Sequence, residues 1–259
     1  MSGFYSTIAR YYDAENSDKS DDLAFYSALA AEHGGPLLEI GCGTGRVLLH
    51  LAQEGHNAHG IDKDGAMLER AQHKRAALPP DLRENIVLYQ GDVLRTDEIH
   101  ERYKLILLSY NMLTHFQQQE QQSALLKRLR AWLRDDGLLV IDLPNPAPVF
   151  ASADSDALTL ERTFIEPESG HLVMQQSVST LDRARQLLHV TWVYDEISAD
   201  GTLKRTFAPV VFRYYFLAEL RLLLQAAGFA VDTVYGDCDG GDYDETSERL
   251  IVLAAPVQG

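Results

Sequence analysis

The sequence predicts an α/β protein: a doubly wound, mostly parallel sheet, preceded by two helices and interrupted after its fifth strand by an antiparallel β insert. Three observations carry this. Over residues 36–142 short apolar runs alternate with amphipathic stretches, as strands and crossover helices do. The first apolar run opens directly into Gly41-Cys42-Gly43-Thr44-Gly45, a loop with a glycine at every second position. Between residues 157 and 215 the apolar spacing changes to strict alternation, the period of a sheet with one face buried.

The elements follow in order. Residues 7–33 read as two helices, with Ala9, Tyr12, Leu23, Tyr26, Leu29 and Ala30 on apolar faces and the polar run Glu15–Asp22 between them. Strands are expected at Pro36–Ile40, Ala58–Ile61, Asn85–Tyr89 and Tyr103–Ser109. Helices lie between them at Arg46–Glu54, stopped by Gly55, and at Gly65–Ala77, stopped by Pro79-Pro80. Leu125, Leu126, Leu129, Trp132 and Leu133 give Gln119–Leu133 helical spacing; Asp135-Asp136-Gly137 turns the chain into a fifth strand at Leu138–Asp142. Pro144–Pro148 is a stiff connector, and about four antiparallel strands follow it, turning near Glu168-Ser169-Gly170, Asp182-Arg183 and Ala199-Asp200-Gly201. Leu217–Ala227 resumes as a helix, and Phe229–Tyr235 with Arg249–Ala254 form a last antiparallel pair. The expected units are 1–148, 149–215 and 216–259, the last returning to the first.

A chain of 259 residues, 46% of them hydrophobic, has enough apolar surface for a large core. Its 23 basic and 38 acidic residues leave a formal net charge of −15, which repels a phosphate backbone and argues against a nucleic-acid substrate. The two cysteines, Cys42 and Cys238, argue against a disulfide framework, because one sits in the glycine loop; a reducing cytoplasm is the expected setting. No basic-then-apolar leader pattern and no apolar run long enough for a membrane span is present.

Glycines at 41, 43 and 45 let backbone approach a ligand closely, because they carry no side chain to obstruct it. A dinucleotide fingerprint needs its third glycine one place later, where Arg46 stands. The acid before the loop, Glu39, also suits a positively charged ligand better than a pyrophosphate. Two further segments, Gly60-Ile61-Asp62-Lys63-Asp64 and Gln90-Gly91-Asp92-Val93, each place an acid just beyond an expected strand.

Together, Leu38–Gly45 and these two segments resemble the cofactor motifs of class I S-adenosylmethionine-dependent methyltransferases. The resemblance covers residues 1–145 well and the remainder more loosely, and its layout is similar to bacterial small-molecule members, including sugar-amine N-methyltransferases. It implies a seven-stranded Rossmann-like sheet, an N-terminal helical lid, and an antiparallel lobe over the acceptor. It implies S-adenosylmethionine as cofactor, with S-adenosylhomocysteine as product. Glu39, Gly41, Cys42, Gly43 and Gly45 would hold the methionine end, Asp62 with Lys63 the ribose, and Asp92 with Val93 the adenine. Asp64 would cap the following helix.

The resemblance further implies that Tyr12, favoured over Tyr11, closes over the cofactor from the lid, with Arg10 beside it as a partner for the cofactor carboxylate. The loop after the fourth strand supplies Tyr110 and Asn111 to cofactor or substrate, and His115 as a candidate general base. Arg213 and Tyr215, where the lobe returns to the core, are candidate acceptor contacts. Tyr12 and His115 are thus the candidate catalytic groups. A base is needed only if the acceptor must lose a proton, and a neutral amine needs none. No metal is expected: Asp237, Asp239, Asp242, Asp244 and Glu245 lack the ligand spacing of a calcium loop. Nor does the fourth strand end in the Asn/Asp-Pro-Pro-aromatic pattern of nucleic-acid amino-methylating enzymes. The expected partner is a small-molecule methyl acceptor, N or O, with no nucleic acid and no membrane, on a monomer or homodimer. Two alternatives remain at this level: a non-catalytic cofactor-binding protein on the same fold, and a nicotinamide-dependent oxidoreductase.

Overall fold

The computed structural model describes residues 3–152 and 155–257. Helices α1 (Phe4–Glu15) and α2 (Asp21–His33) precede β1 (Leu37–Ile40). Then come α3 (Arg46–Gln53), β2 (Ala58–Asp62), α4 (Gly65–Ala76), α5 (Pro80–Glu84), β3 (Ile86–Gln90) and β4 (Tyr103–Leu108). A 3-10 turn at Met112–His115 leads into α6 (Gln119–Trp132), β5 (Leu133–Pro144) and α7 (Pro146–Ala151). The insert comprises β6 (Ser155–Ile165), β7 (Leu172–Asp182), β8 (Leu187–Ile197) and β9 (Leu203–Arg213); α8 (Leu217–Ala226), β10 (Phe229–Tyr235) and β11 (Arg249–Pro256) complete the core.

The core sheet has seven strands in the order β10-β11-β5-β4-β1-β2-β3. Strands β1 to β5 pair in parallel, and β11 is antiparallel to both β5 and β10. Because β1 lies between β4 and β2, the direction of winding reverses there, and the crevice beyond its carboxyl end is the place for a ligand. The central strands are buried on both faces, so their apolar residues divide by alternation. Leu38, Ile40, Ile106 and Leu108 pack with α6 and α8, whereas Leu37, Leu105 and Leu107 pack with α2 and α3.

The insert folds as a separate antiparallel sheet, β6-β7-β8-β9, each strand eleven residues long. Helix α1 joins this lobe to the core. On one side Tyr11 stacks on Tyr194 at 4.9 Å, and Arg10 pairs with Glu166 at 2.7 Å. On the other, Ser6 donates to Asp64 (2.6 Å) and Lys74 pairs with Asp13 at 2.7 Å.

Three local expectations change. Pro79-Pro80 stops α4 but also opens α5, since proline at a first helical position loses no hydrogen bond. The proline-rich connector contains α7, capped by Asn145, whose Oδ1 accepts from the Ala147 amide at 3.1 Å. Asp135-Asp136-Gly137 lies within β5 as an irregularity of register, between the pairs Tyr103–Leu133 and Leu105–Leu138. Glycine fits there because a Cβ on Gly137 would stand 2.8 Å from Leu133 Cδ1 and 3.0 Å from the Lys104 carbonyl.

Candidate active site

The glycine loop leaves β1 with Gly41 at φ 70°, Gly43 at φ 54° and Gly45 at φ 82°, all in the left-handed region that favours glycine. A Cβ on Gly41 would stand 2.2 Å from Met112 Sδ, so the loop and the turn after β4 meet with no room between them. The Gly43 amide donates to Asp62 Oδ2 and the Asp64 amide to Asp62 Oδ1, both at 2.8 Å. Each Asp62 oxygen therefore takes one backbone donor and keeps capacity for another. Asp64 caps α4, accepting from the Ala66 and Met67 amides.

These parts enclose a cavity of ≈ 340 Å³ at the carboxyl ends of β1, β2, β3 and β4. Glu39, Gly41, Cys42, Gly43, Asp62, Lys63, Asp92, Val93, Tyr110, Tyr12 and His115 all line it. Glu39 is 3% exposed; Ser109 donates to its Oε1 at 2.5 Å, and its Oε2 is buried with no hydrogen-bond partner among the described residues. A buried carboxylate oxygen left unpaired is costly unless a ligand donor meets it. The orphaned oxygen, the glycine loop and the half-satisfied Asp62 together fit a ligand with an ammonium at one end and a diol in the middle.

Residues 37–137 match the family model of the methyltransferase domain. This chain is an S-adenosylmethionine-dependent methyltransferase. A cypemycin N-terminal methyltransferase of a Streptomyces species is 27% identical over 232 residues, covering 89% of this chain and 87% of that protein. A dTDP-3-amino-3,6-dideoxy-α-D-glucopyranose N,N-dimethyltransferase of Streptomyces fradiae is 29% identical over 142 residues, 52% of each. The solved CcbJ methyltransferase of Streptomyces caelestis shares the fold with a TM-score of 0.81 over 99% of both chains, at 23% identity. S-Adenosylmethionine is the methyltransferase's cofactor, so the nicotinamide-dependent alternative does not stand.

A second cavity of ≈ 310 Å³ lies between α1, the turn after β4 and the inner face of the lobe. Phe4, Tyr5, Tyr12, Tyr110 and His115 line both cavities and form their common wall. In that wall the Tyr5 hydroxyl and His115 Nε2 share a hydrogen bond of 2.8 Å. Burial, helped by the Lys63 charge, pushes His115 down to about 4, so its ring is neutral at pH 7. Burial also raises Tyr5 and Tyr12 well above the ordinary phenol value, which keeps both protonated. Glu39 is pushed up to about 7 by burial, against the lowering effect of the Ser109 hydrogen bond.

The wall is held in shape by Asp142, which is 1% exposed. It accepts from Arg249 at 2.5 Å, from the Tyr26 hydroxyl at 2.9 Å and from the Tyr110 amide at 3.3 Å. Tyr110 (φ 42°) and Asn111 (φ 70°) take left-handed backbone here, and Arg249 also donates to Asn111 Oδ1 at 2.8 Å. Asn111 lines the second cavity rather than the first.

Four residues fall elsewhere than expected. Gly45 does not line the cavity; it caps α3, its carbonyl accepting from the Leu49 amide at 2.9 Å. Arg10 faces the lobe acids Glu166 and Glu196 and lines neither cavity. Arg213 and Tyr215 line neither cavity either. Arg213 pairs with Glu219 and donates to the Arg185 carbonyl, while the buried Tyr215 hydroxyl donates to the Leu113 and Phe116 carbonyls. Tyr215 therefore supports the turn that carries His115 from behind. Sequence reasoning missed Tyr5, seven residues before Tyr12 and so on the same helical face. It also missed Arg46, which lines the cofactor cavity, pairs bidentately with Asp22 (2.6 Å for each bond) and lies 5.4 Å from the Tyr110 ring centre.

Proposed function

We propose that this methyltransferase methylates an amine nitrogen of a small molecule. The observation that carries the reading is the wall between the two cavities, built from aromatic rings and a neutral imidazole. It suits a nucleophile that attacks through its own lone pair. The dTDP-amino-sugar enzyme, similar to this chain, is named an N,N-dimethyltransferase, and the cypemycin enzyme is named for the N-terminus of its substrate.

S-Adenosylmethionine supplies a methyl group already activated on a positive sulfur. On our reading Glu39 Oε2 meets the methionine ammonium, and Arg46, in place of Arg10, is the cation nearest the methionine carboxylate. Asp62 takes the ribose hydroxyls, with Lys63 beside it, and Asp92 and the Val93 amide take the adenine. Tyr12 and Tyr110 close over the junction and exclude water, so that positioning supplies most of the acceleration. His115 orients the incoming amine through its hydrogen-bonding nitrogen; an electrically neutral nucleophile leaves it no proton to remove before attack. Residues 1–148 and 216–259 form the catalytic core in this scheme, and 149–215 the lobe that shapes the acceptor pocket.

The enzyme acts in the cytoplasm on this reading, consistent with free thiols at Cys42 and Cys238, and does not act on nucleic acid, consistent with a net charge of −15. No helix among the described residues is long and apolar enough to cross a membrane. The deciding experiment offers methyl-labelled S-adenosylmethionine with an amino sugar and with the matching sugar bearing hydroxyl in place of the amine. Label is expected in the amino sugar alone; label in the hydroxyl compound refutes transfer to nitrogen.

A further inference from the structure

The acceptor cavity holds a carboxylate that the transfer step does not use. Glu15 ends α1, is 8% exposed, and lines this cavity. Its Oε2 accepts from the Tyr194 hydroxyl at 2.8 Å and from Gln175 Nε2 at 3.0 Å. Its Oε1 has only a long 3.4 Å contact with the neighbouring Asn16 amide, so one oxygen is fixed and the other left with spare capacity. Burial raises its pKa to about 7, against the lowering effects of the Tyr194 hydrogen bond and the Arg162 charge.

The remaining lining sharpens the chemistry. Tyr12, Trp192, Phe212 and Tyr214 surround the cavity with aromatic surface, and a carboxylate among aromatic faces is a recognition site for a cation. Arg162 is the one arginine or lysine among the lining residues, and it is already committed: it donates to the Glu15 backbone carbonyl and stands 3.5 Å from Asp18. Glu161, exposed on the same lining, adds a second negative charge. A nucleotide diphosphate would find no free cation here and would face two acids, an arrangement that disfavours it.

Resting on the amine reading above, we propose that Glu15 binds a second, non-reacting ammonium of the acceptor. The substrate class is then a small diamine or amino-bearing polyol, in contrast to an amino sugar carried on a nucleotide diphosphate. The reacting nitrogen sits at the Tyr5–His115 wall and the other on Glu15.

The test is calorimetric binding to the full chain with S-adenosylhomocysteine present, using 1,4-diaminocyclohexane, 4-aminocyclohexanol and a thymidine-diphosphate-linked 3-amino sugar. The diamine is expected to bind about 10-fold or more tighter than the monoamine, a difference of about 1.4 kcal/mol, and the nucleotide-linked sugar weakest of the three. Glu15→Gln should erase the diamine preference and leave S-adenosylhomocysteine affinity unchanged; Tyr194→Phe, removing one donor from Oε2, should keep the preference. Equal binding of the two amines, tighter binding of the nucleotide-linked sugar, survival of the preference in Glu15→Gln, or no binding by any probe to protein that holds S-adenosylhomocysteine each overturns the proposal. The amine reading fails separately: label transferred to the hydroxyl of 4-aminocyclohexanol refutes it even where Glu15 still selects the diamine.

Discussion

The Tyr5 hydroxyl and His115 Nε2 stand 2.8 Å apart in the wall common to the two cavities, one from α1 and the other from the turn after β4. The bond ties the placement of the imidazole to that of α1. With His115 lowered to about 4 and Tyr5 raised, neither group changes charge between pH 5 and 9. His115 should therefore add no step near the ordinary histidine value of about 6.5 to the pH dependence of methyl transfer. Carbon NMR of labelled His115 should give a midpoint near 4. The sign for stability follows: the unfolded chain binds this proton more readily, so the His115 contribution is present above about 6.5 and lost as pH falls toward 4. His115→Gln should flatten that acid limb of a melting-temperature profile.

Asp62 joins the glycine loop to β2 through two backbone amides. Asp62→Ala should weaken S-adenosylhomocysteine by about 2–3 kcal/mol, the worth of hydrogen bonds to a charged group. Isothermal titration reads this directly, and an unchanged Kd refutes the ribose assignment.

Glu39, raised to about 7 by burial, carries its proton part of the time at neutral pH. A cofactor ammonium on Oε2 favours the ionised form, so binding should release a proton, and affinity for S-adenosylmethionine should rise as pH rises from 6 through 7. Calorimetry in buffers of different ionisation heat measures that release. For the ligand-free protein the sign is opposite: the extra proton is held by the folded state, and the stability it contributes is lost as pH rises from about 4.5 through about 7.

Gly60 on β2 lies against the back of the loop: a Cβ there would stand 2.7 Å from Cys42 Sγ and 2.8 Å from Leu48 Cδ2. Gly60→Ala should cost about 1–3 kcal/mol by overpacking and lower cofactor affinity, because the displaced Cys42 lines the cavity. Urea unfolding and titration report the two effects separately.

Arg249→Gln would leave the Asp142 carboxylate buried without its cation. A loss of about 3–5 kcal/mol is expected, measured by denaturant unfolding. Adding Asp142→Asn should recover part of it, since the uncompensated charge is then gone.

Much of this was legible in the sequence because the signals are local. The strands, the glycine loop, the acids at 39, 62 and 92, and the lobe's alternation each lie within a few consecutive residues. The Asp142–Arg249–Asn111 network was not legible, since Arg249 and Asp142 are 107 positions apart and meet only when β11 pairs with β5. Arg10 illustrates a different limit. It lies two residues from Tyr12, which on a helix means nearly opposite faces, so the two could not serve one pocket. Arg213 and Tyr215 were read from their position near the returning chain, but the hydroxyl and guanidinium are occupied by the carbonyls and the acid of neighbouring turns.

The lobe departs from the core chain after Asn145 and rejoins it at Tyr214. The first cavity takes its lining from residues 3–121, apart from Val210 and Val211, whereas the second is lined both by residues 4–144 and by residues 161–214 of the lobe. On the proposed reading the methyl source is held almost wholly by the core, and the recipient by core and lobe together. On that reading a graft of residues 155–213 from a related methyltransferase should alter part of the acceptor pocket while leaving the methyl source alone.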